Sequence, residues 1–390
     1  MTLELIAAAS LGAWVYLFSA RGGFWQISAP PKPAHSPAAK SVCVIIPARN
    51  EEAVVGHAIK SLYPFHVILV DDHSSDRTAA VAAEAGAFVI QAAPLPPGWS
   101  GKLWALSEGL KHAASLAPDY LLFTDADIIH SPNNIAELVA RAEATQLDLV
   151  SLMVKLRCRS FPETLLIPAF VYFFFMLYPP AWVARRDRRT AAAAGGCILI
   201  RPSALDRIGG IESIRGAIID DCALARAVKR TGGGIWLGVT HDTSSIRENN
   251  TFADIRAMIS RTAFAQLHHS ALLLAATILG MAVIYLAPPL MLFTRNPLAA
   301  IFGLAAWFLM MITYVPVLRF YGRTVAWAPT RPGVESRCTP QYRVWNYRML
   351  GAPLLPLIAL FYMSATINSA SSYWTGRGGI WKDRVQDAQH

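Results

Sequence analysis

The stretch YLLFTDAD, residues 120–127, joins a short apolar run to two aspartates that stand two positions apart. A run of this length and composition is typical of a β-strand buried inside a sheet. Asp125 and Asp127 follow where the strand stops, so both carboxylates can turn toward the same point. Mg²⁺ and Mn²⁺ are held in proteins by one or two such carboxylates together with phosphate oxygens of a substrate. The stretch therefore predicts a strand that ends at a divalent-metal site.

Two earlier stretches follow the same pattern, VCVIIP (42–47) and VILVDD (67–72), and a segment with helical character comes after each. A third short apolar run, FVI (88–90), follows the second of these helices. Strands that alternate with helices predict a parallel sheet with crossover helices. In open α/β sheets, ligands bind beyond the carboxyl ends of the strands. We therefore expect a site at the edge where these strand ends meet.

The segments after the first two strands each allow two interpretations. PARNEE (47–52) is either a plain loop whose acids begin a helix or part of a nucleotide pocket, and its candidate residues are Pro47, Arg49, Asn50 and Glu51. VDDHSSDRT (70–78) contains Asp72, which can accept hydrogen bonds from the base or ribose of a nucleotide. The polar residues after Asp72 are also suited to cap the next helix, and the two roles are compatible.

Three further motifs bring charge. In GKLWALSEG (101–109), Lys102 suits contact with a phosphate, although the P-loop pattern is absent. In IIDDCALAR (218–226), Asp220 and Asp221 either cap a helix or provide a general base that takes a proton from an acceptor hydroxyl. Arg256 and Arg261 precede an apolar stretch and can bind either lipid phosphates or a departing diphosphate.

The composition indicates a membrane protein. The chain of 390 residues is 54% hydrophobic and only 16% charged, with a mean hydropathy of +0.36. Its formal net charge of +9 is spread along the chain, which favours membrane-flanking loops, and we expect no nucleic-acid partner. The five cysteines show no C-x-x-C spacing, which disfavours a zinc site or a disulfide framework. A dinucleotide-binding dehydrogenase is disfavoured too, because no G-x-G-x-x-G follows the first strand.

Apolar stretches at both ends define the predicted domains. Residues 1–27 form a membrane anchor rather than a signal peptide, because the start MTLE has no basic residue. Residues 28–41 form a linker rich in proline, and residues 42–265 form the globular domain. Residues 266–390 form a C-terminal membrane domain with spans near 271–293, 298–318 and 353–373, of which the last is the weakest because of its polar residues.

Within the globular domain, residues 164–184 are either a buried core helix or an interfacial helix on the membrane surface. The loop between the second and third C-terminal stretches is rich in arginine, namely Arg319, Arg323, Arg331, Arg337, Arg343 and Arg348. The positive-inside rule places this loop, and with it the globular domain, in the cytoplasm. The tail also contains Arg377, Lys382 and Arg384, which disfavours an external C-terminus, so we expect one stretch not to cross fully.

In order and spacing, these motifs resemble the family 2 glycosyltransferases over about residues 42–265. The phrases PPGWSGKLWAL, TAAAAGGCILI and GAIIDDCALARAVKR further resemble the hopene-associated branch, which belongs to bacterial hopanoid biosynthesis. The resemblance implies a glycosyltransferase catalytic domain with the nucleotide-diphosphosugar transferase fold of the GT-A type. This fold is a mixed α/β sheet flanked by helices, here with transmembrane helices at both ends. It also implies a multi-pass protein of the bacterial inner membrane.

The resemblance implies roles for single residues as well. Asp72 lies at the base of the nucleotide, Asp125 and Asp127 form the D-x-D motif, and Asp127 is the direct metal ligand. Asp221 is the general base, and Asp220 replaces the family's glutamate. Pro47, Arg49, Asn50, Glu51, Lys102 and Arg261 complete the predicted nucleotide-sugar site. The family is inverting, so the implied partners are a nucleotide-sugar donor, a UDP-sugar before others, a lipid acceptor and a divalent cation, Mg²⁺ or Mn²⁺.

One departure from the family pattern concerns the number of sugars transferred. Processive members carry Gln-x-x-Arg-Trp near the membrane entry, whereas this chain has residues 258–262, MISRT, in the same place. Arg261 matches, but the glutamine and the tryptophan that supports an acceptor sugar are missing. Transfer of a single sugar to a lipid is therefore favoured over a processive polysaccharide synthase. A non-catalytic nucleotide-binding scaffold is the other alternative, and the intact acidic motifs argue against it.

Overall fold

The computed structural model describes residues 2–29, 40–322, 351–381 and 384–387. Most of the predicted linker, Cys338, Lys382 and the arginines of the loop beyond Gly322 lie outside the described residues. The described helices are α1 (Thr2–Ser19), α2 (Val55–Lys60), α3 (Thr78–Glu84), α4 (Gly101–Ala114), α5 (Asn134–Ala144), α6 (Phe161–Leu177), α7 (Pro180–Val183), α8 (Pro202–Arg207), α9 (Asp220–Arg230), α10 (Phe252–Ser260), α11 (Ala271–Met281), α12 (Ala287–Met291), α13 (Pro297–Gly322) and α14 (Leu355–Trp374).

The described strands are β1 (Val42–Ala48), β2 (His66–Asp71), β3 (Phe88–Gln91), β4 (Tyr120–Thr124), β5 (Ile128–His130), β6 (Leu149–Lys155), β7 (Cys197–Ile200), β8 (Ile235–Ser245), β9 (Gly378–Trp381) and β10 (Arg384–Asp387). The last two form a separate antiparallel pair. Turns of 3₁₀ helix occur at Ile211–Ile214 and Ala265–Leu267, and a π-helical turn at Ala282–Leu286 joins α11 to α12.

Strands β1 to β8 form one sheet in the order β3-β2-β1-β4-β7-β6-β8-β5. The pairs β1–β2, β1–β4, β2–β3 and β6–β8 are parallel, whereas β7 is antiparallel to β4 and β6, and β5 is antiparallel to β8. Strands β1, β2, β3, β4, β6 and β8 therefore run in one direction, and their carboxyl ends share one edge. The prediction of a mixed α/β sheet flanked by helices is confirmed.

Helix α4 lies directly on the first two strands, and Gly109 allows this close approach. A Cβ atom at position 109 would come within 2.5 Å of Ile45 Cγ2 and 3.0 Å of Val70 Cγ2. Both of these side chains are completely buried in the core. Helix α4 runs from the carboxyl edge of the sheet back to the start of β4, and Ser100 caps its first turn by accepting a hydrogen bond from Leu103 N. This arrangement brings Lys102 to the carboxyl edge.

Helix α6 connects the sheet to the C-terminal helices. The Tyr172 hydroxyl forms a hydrogen bond of 2.8 Å with Thr313 Oγ1 of α13, and the Tyr362 hydroxyl of α14 donates to Leu166 O at 2.9 Å. Leu166 and Tyr172 are buried, whereas Phe161 at the start of the helix is exposed. The segment predicted as either a core helix or a surface helix thus buries one face within the helical bundle.

The N-terminal helix belongs to the same bundle. Trp14 is completely buried, and its indole Nε1 donates to Ile284 O at 2.8 Å. Ile284 lies in the π-helical turn between α11 and α12, where the widened backbone makes a carbonyl available to a neighbouring donor. Helix α1 also packs along α13. The two ends of the chain therefore meet in one apolar assembly.

Four described helical segments are long and apolar enough to cross a membrane, namely Thr2–Ser19, Phe161–Val183, Ala271–Met291 and Pro297–Gly322. Three of them coincide with predicted spans. The fourth, Phe161–Val183, was not predicted as a span, and the predicted span at 353–373 is not among the four. The polar residues Ser364, Thr366, Asn368 and Ser369 lower the hydropathy of α14, and this helix also forms hydrogen bonds with the segment at the end of α10. Ser369 Oγ accepts a hydrogen bond from Phe264 N at 3.0 Å, and Ser260 Oγ donates to Ala365 O at 2.9 Å.

Candidate active site

A cleft of about 470 Å³ opens at the sheet edge where β1, β4, β6 and β8 end. Its charged lining residues are Glu51, Lys102, Asp125, Asp127, Asp220, Asp221, Arg247, Asp254 and Arg261, and Pro47 lines it as well. Six carboxyl side chains thus face three basic ones, so the cleft has a surplus of negative charge. A site with this balance attracts a cation and repels a bare diphosphate.

Lys102 lies between the D-x-D motif and the acid pair. Its ammonium nitrogen is 2.8 Å from Asp125 Oδ1 and 3.4 Å from Asp220 Oδ2, and its side chain is only 19% exposed. Burial alone would lower the pKa of Lys102, but the charges of Asp125, Asp220 and Asp221 outweigh it and raise that pKa above its ordinary value. The lysine therefore stays protonated and holds two predicted motifs together that are far apart in sequence.

Asp221 is oriented by two backbone donors. Its Oδ2 accepts a hydrogen bond from Gly195 N at 2.8 Å, and its Oδ1 accepts one from Cys222 N at 2.7 Å. Burial, followed by the neighbouring charge of Asp220, raises the pKa of Asp221 to about 6, against the lowering effect of Lys102 and the two N–H groups. A carboxylate with a pKa near neutrality is suited to accept a proton from a hydroxyl.

Asp127 is anchored at the end of β8. Its Oδ2 accepts a hydrogen bond of 2.6 Å from Ser245 Oγ and lies 3.2 Å from Arg247 Nε. The same guanidinium donates through Nη2 to Glu51 Oε1 at 2.6 Å. Arg247 thus bridges the segment after β1 to the D-x-D motif. The sequence analysis missed this arginine, although its position two residues beyond a strand end was a usable signal.

A buried chain of hydrogen bonds lies next to the D-x-D motif and begins at Thr124, the residue before Asp125. Thr124 Oγ1 donates to Gly196 O at 2.8 Å, so the threonine oxygen accepts from His130 Nε2 at 3.0 Å. The other ring nitrogen of His130 then accepts from Asn134 Nδ2 at 3.0 Å. Burial lowers the pKa of His130 to about 3, which keeps the ring neutral, and the hydrogen-bond partners favour the tautomer with the proton on Nε2. The relay ties the end of β4 to the Gly195–Gly196 segment that orients Asp221.

The structure does not bring Arg49, Asn50 and Asp72 into the lining of the cleft. Arg49 Nη1 donates to the backbone carbonyls of Asp72 and His73, and Asn50 Oδ1 accepts from Ser75 N at 2.9 Å. The Asp72 side chain is completely buried. These residues join the turn after β1 to the turn after β2, whereas their predicted neighbours Pro47 and Glu51 face the cleft. A direct contact of Asp72 with a nucleotide base stays a prediction.

Part of the cleft lining is apolar. Leu156 follows β6, Phe170 and Phe174 come from α6, and Met258 comes from α10, next to Arg261 at the end of the same helix. The two phenylalanines are partly buried and lie on the helix that enters the helical bundle. One cleft therefore combines a charged face made by strand ends with an apolar face made by a candidate membrane helix.

The residues present fit a divalent cation that shares its ligands with a substrate. In the part of the chain that the structure describes, no group of three or more His, Cys, Asp or Glu side chains can hold a metal ion by itself. Asp125 and Asp127 nevertheless line the same cleft, and the contacts of Lys102 and Ser245 each engage one oxygen of these carboxylates. Two hard oxygen donors of this kind match Mg²⁺ or Mn²⁺ bound jointly with phosphate oxygens.

Comparison with known families agrees with this geometry. Residues 43–209 match the model described as glycosyl transferase family 2. The chain is 40% identical over 94 residues to the 4,4'-diaponeurosporenoate glycosyltransferase of Staphylococcus aureus (strain bovine RF122 / ET3-1), which covers 23% of this chain and 24% of that protein. The chain thus spans about a quarter of the length of this relative. Residues 43–209, a little less than half of the chain, are therefore similar to a family 2 glycosyltransferase domain.

One solved structure supports the same fold. A mannosyltransferase from Pyrobaculum calidifontis, in complex with GDP-Man and Mn²⁺, superposes with a TM-score of 0.51 at 18% identity, over 82% of this chain and 96% of that chain. A glucosyl-3-phosphoglycerate synthase from Mycobacterium tuberculosis, solved with Mn²⁺ and UDP, gives a TM-score of 0.39 at 21% identity, over 60% of this chain and 83% of that chain. The predicted GT-A type of fold is confirmed by the first of these together with the family match.

Gly195 provides a test of the site geometry. A Cβ atom at position 195 would lie 3.1 Å from Lys102 Nζ, close enough to displace the ammonium group by a few tenths of an ångström, and would be in van der Waals contact with Asp221 Oδ2 at 3.4 Å. We expect Gly195→Ala to fold normally but to lower kcat for transfer about tenfold or more, since small misplacements of reacting groups are costly. Gly280→Ala is the matched control, because its added methyl group meets open space. Equal kcat values for the two variants in membrane assays would contradict the geometry.

Proposed function

We propose that this chain is a membrane-bound inverting glycosyltransferase that moves one sugar from a nucleotide-diphosphate sugar to a lipid acceptor. The observation that carries the proposal is the shared cleft, in which Lys102 joins the D-x-D aspartate Asp125 to the acid pair Asp220 and Asp221. The match of residues 43–209 to family 2 supports the class of reaction.

The diphosphate of the donor binds at the charged face of the cleft. Asp125 and Asp127 would hold a divalent cation, Mg²⁺ or Mn²⁺, and its charge would stabilise the departing diphosphate. Lys102 and Arg261 line the same cleft, supply positive charge and orient the phosphate oxygens. Arg247 keeps Asp127 in place through its contact with the carboxylate. A UDP-sugar is the first donor to test, with Pro47 and Glu51 beside it in the wall.

The acceptor hydroxyl attacks the anomeric carbon from the face opposite the diphosphate. A bond forms between the hydroxyl oxygen and that carbon, while the bond from the carbon to the diphosphate oxygen breaks and its electron pair leaves with the diphosphate. Asp221 takes the hydroxyl proton, which its raised pKa of about 6 favours. Asp220 and Lys102 set the electrostatic balance around it.

The apolar wall supports a lipid acceptor. Phe170, Phe174 and Met258 offer a surface that an aliphatic chain or ring system can bury against, in the same cleft as the general base. The absence of the processive motif at residues 258–262 supports single-sugar transfer rather than polysaccharide synthesis. The hopene-associated resemblance and a relative named for 4,4'-diaponeurosporenoate are both in keeping with a lipid acceptor, and we propose hopanoid metabolism as the setting.

The proposed location is the bacterial inner membrane, with the catalytic domain on the cytoplasmic side. The segments Thr2–Ser19, Ala271–Met291 and Pro297–Gly322 support a multi-pass arrangement, whereas Phe161–Val183 connects β6 to β7 of one sheet and so has both ends on the catalytic side. The proposed domains are the anchor at residues 1–27, the catalytic domain at 42–265 and the C-terminal membrane domain at 266–390. In this arrangement the cleft lies close to the bilayer, because α6 lines the cleft and also packs against α13.

We expect transfer to depend on pH through Asp221. Because the pKa of this carboxyl is raised to about 6, kcat/KM should fall as the pH drops below about 6, where the base is protonated, and should level off above it. Asp221→Asn should lower kcat/KM about 10²- to 10⁴-fold and remove this dependence. Glu248→Gln is the control, because that side chain is 62% exposed. A flat profile between pH 5 and pH 8 for the unaltered enzyme would argue against Asp221 as the base.

The function itself is tested by comparing lipid extracts of cells with the gene, without it, and with the Asp127→Ala variant. Mass spectrometry should detect a lipid carrying one added sugar only in cells with the unaltered gene. The mass of that lipid identifies the acceptor and the class of sugar together. A product with a ladder of added sugars would favour a processive synthase, and identical lipid extracts from all three strains would favour a non-catalytic scaffold.

A further inference from the structure

A strongly basic loop follows the candidate span Phe161–Val183. Residues 185–189 read RRDRR, and all five side chains are exposed. Arg185 pairs with Asp187, with 2.9 Å between Nε and Oδ1, whereas Arg188 lies over the ring of Trp182 at 5.3 Å from its centroid. Four arginines against one aspartate leave a net charge of +3 at the point where an apolar helix ends.

A fifth arginine reaches the same place from the end of the N-terminal helix. Arg21 donates through Nε to Met176 O at 3.0 Å, and its guanidinium lies over Trp182 at 4.8 Å from the ring centroid. Gly22, at a φ of +64°, packs so closely that a Cβ atom there would lie 2.7 Å from Trp182 Nε1. Trp182 is thus fixed between two chain segments. We call Arg21, Trp182 and residues 185–189 the basic loop surface.

A second tryptophan lies at the same end of α1. The ring of Trp25 stacks on Phe18 at 5.1 Å, and its Nε1 donates to Phe18 O at 3.0 Å. Tryptophan collects at the level of the lipid headgroups, where its apolar ring and its N–H group are both accommodated. Two tryptophans and five arginines therefore lie together where two candidate spans end. This combination is typical of a protein surface in contact with lipid headgroups.

The basic loop is also tied to the helix that carries the acid pair. Lys229, in the last turn of α9, donates to Val183 O at 2.7 Å and to Thr190 O at 2.6 Å. It thereby holds both ends of the loop. Asp220 and Asp221 occupy the first turn of the same helix. A ligand bound to the basic loop is therefore held in a defined position relative to α9.

We propose that the basic loop surface binds the phosphate headgroups of anionic phospholipids in the bilayer. Guanidinium groups match phosphate oxygens in bidentate geometry, and a cluster of them is attracted to a negatively charged leaflet. The surface lies at the ends of apolar helices, which favours a membrane lipid over a nucleic acid as its ligand. The proposal rests on the membrane location given above, but it does not require that the chain transfer sugar. Headgroup binding at this surface positions α9 relative to the bilayer. Because α9 carries Asp220 and Asp221, the cleft is positioned with it.

The test uses the full chain purified in a neutral detergent. It is mixed with phosphatidylglycerol and phosphatidylcholine of equal chain length, and native mass spectrometry counts the lipids retained. We expect preferential retention of phosphatidylglycerol, which weakens with rising salt. The double substitution Arg188→Gln and Arg189→Gln should raise the dissociation constant for phosphatidylglycerol about 30-fold. Each basic residue near a charged leaflet lowers that constant about five- to sixfold, and the two effects multiply. Lys60→Gln with Arg77→Gln is the matched control, because it removes two exposed charges from another face.

Three results would overturn the proposal. One is equal retention of the two lipids by the unaltered chain, and another is an unchanged preference in the Arg188/Arg189 variant with an unchanged melting temperature. The third is equally tight binding of sn-glycerol 3-phosphate or of a short RNA at this surface, which would identify a free phosphate or a nucleic acid as the ligand. Because no sugar donor is present, none of these outcomes bears on the transferase activity, and a failure of that activity leaves the lipid preference unaffected.

Discussion

The ammonium group of Lys102 is the interaction on which the cleft depends. It approaches Asp125 to 2.8 Å and Asp220 to 3.4 Å, and Asp221 adds to the negative potential around it. Carboxylates crowded into a half-buried site repel one another and take up protons unless a positive charge is fixed among them. The lysine supplies that charge permanently. The cleft is still negative overall, so it would repel a diphosphate unless a divalent cation were bound with it.

The fold produces this arrangement from elements that are individually ordinary. Helices α4 and α9 both begin at the carboxyl edge of the sheet, which brings Lys102 and the acid pair toward the aspartates that follow β4. The antiparallel strand β7 is preceded by Gly195, whose amide orients Asp221. Helix α6 then lines the cleft with aromatic residues. Charged chemistry and an apolar binding surface therefore meet within one cavity, as sugar transfer to a lipid requires.

The sequence permits prediction of the sheet, of the strand ends that carry acids and of the cleft formed by Lys102, Asp125, Asp127, Asp220 and Asp221. These features follow from local apolar runs and from the rule that parallel strand ends share an edge. Arg247 was not among the predicted site residues, although it lies just beyond a strand end, because its contact with Glu51 joins segments that are distant along the chain. The Thr124–His130 relay was not predictable, because it depends on buried donors. Asp72 was predicted at the nucleotide by resemblance, yet its side chain is buried beside Arg49. The helix at 161–183 could not be assigned from hydropathy, because a buried helix and a membrane helix are equally apolar.

The account is tested most directly by locating the cation in the full chain. Crystals grown with UDP and Mn²⁺ would be measured at the manganese absorption edge, and the anomalous difference map would show the position of the ion. The account predicts a single strong peak within coordination distance, about 2.1 to 2.3 Å, of oxygens from Asp125 or Asp127 and of the diphosphate. A peak elsewhere, or a bound diphosphate with no manganese beside these aspartates, would contradict it.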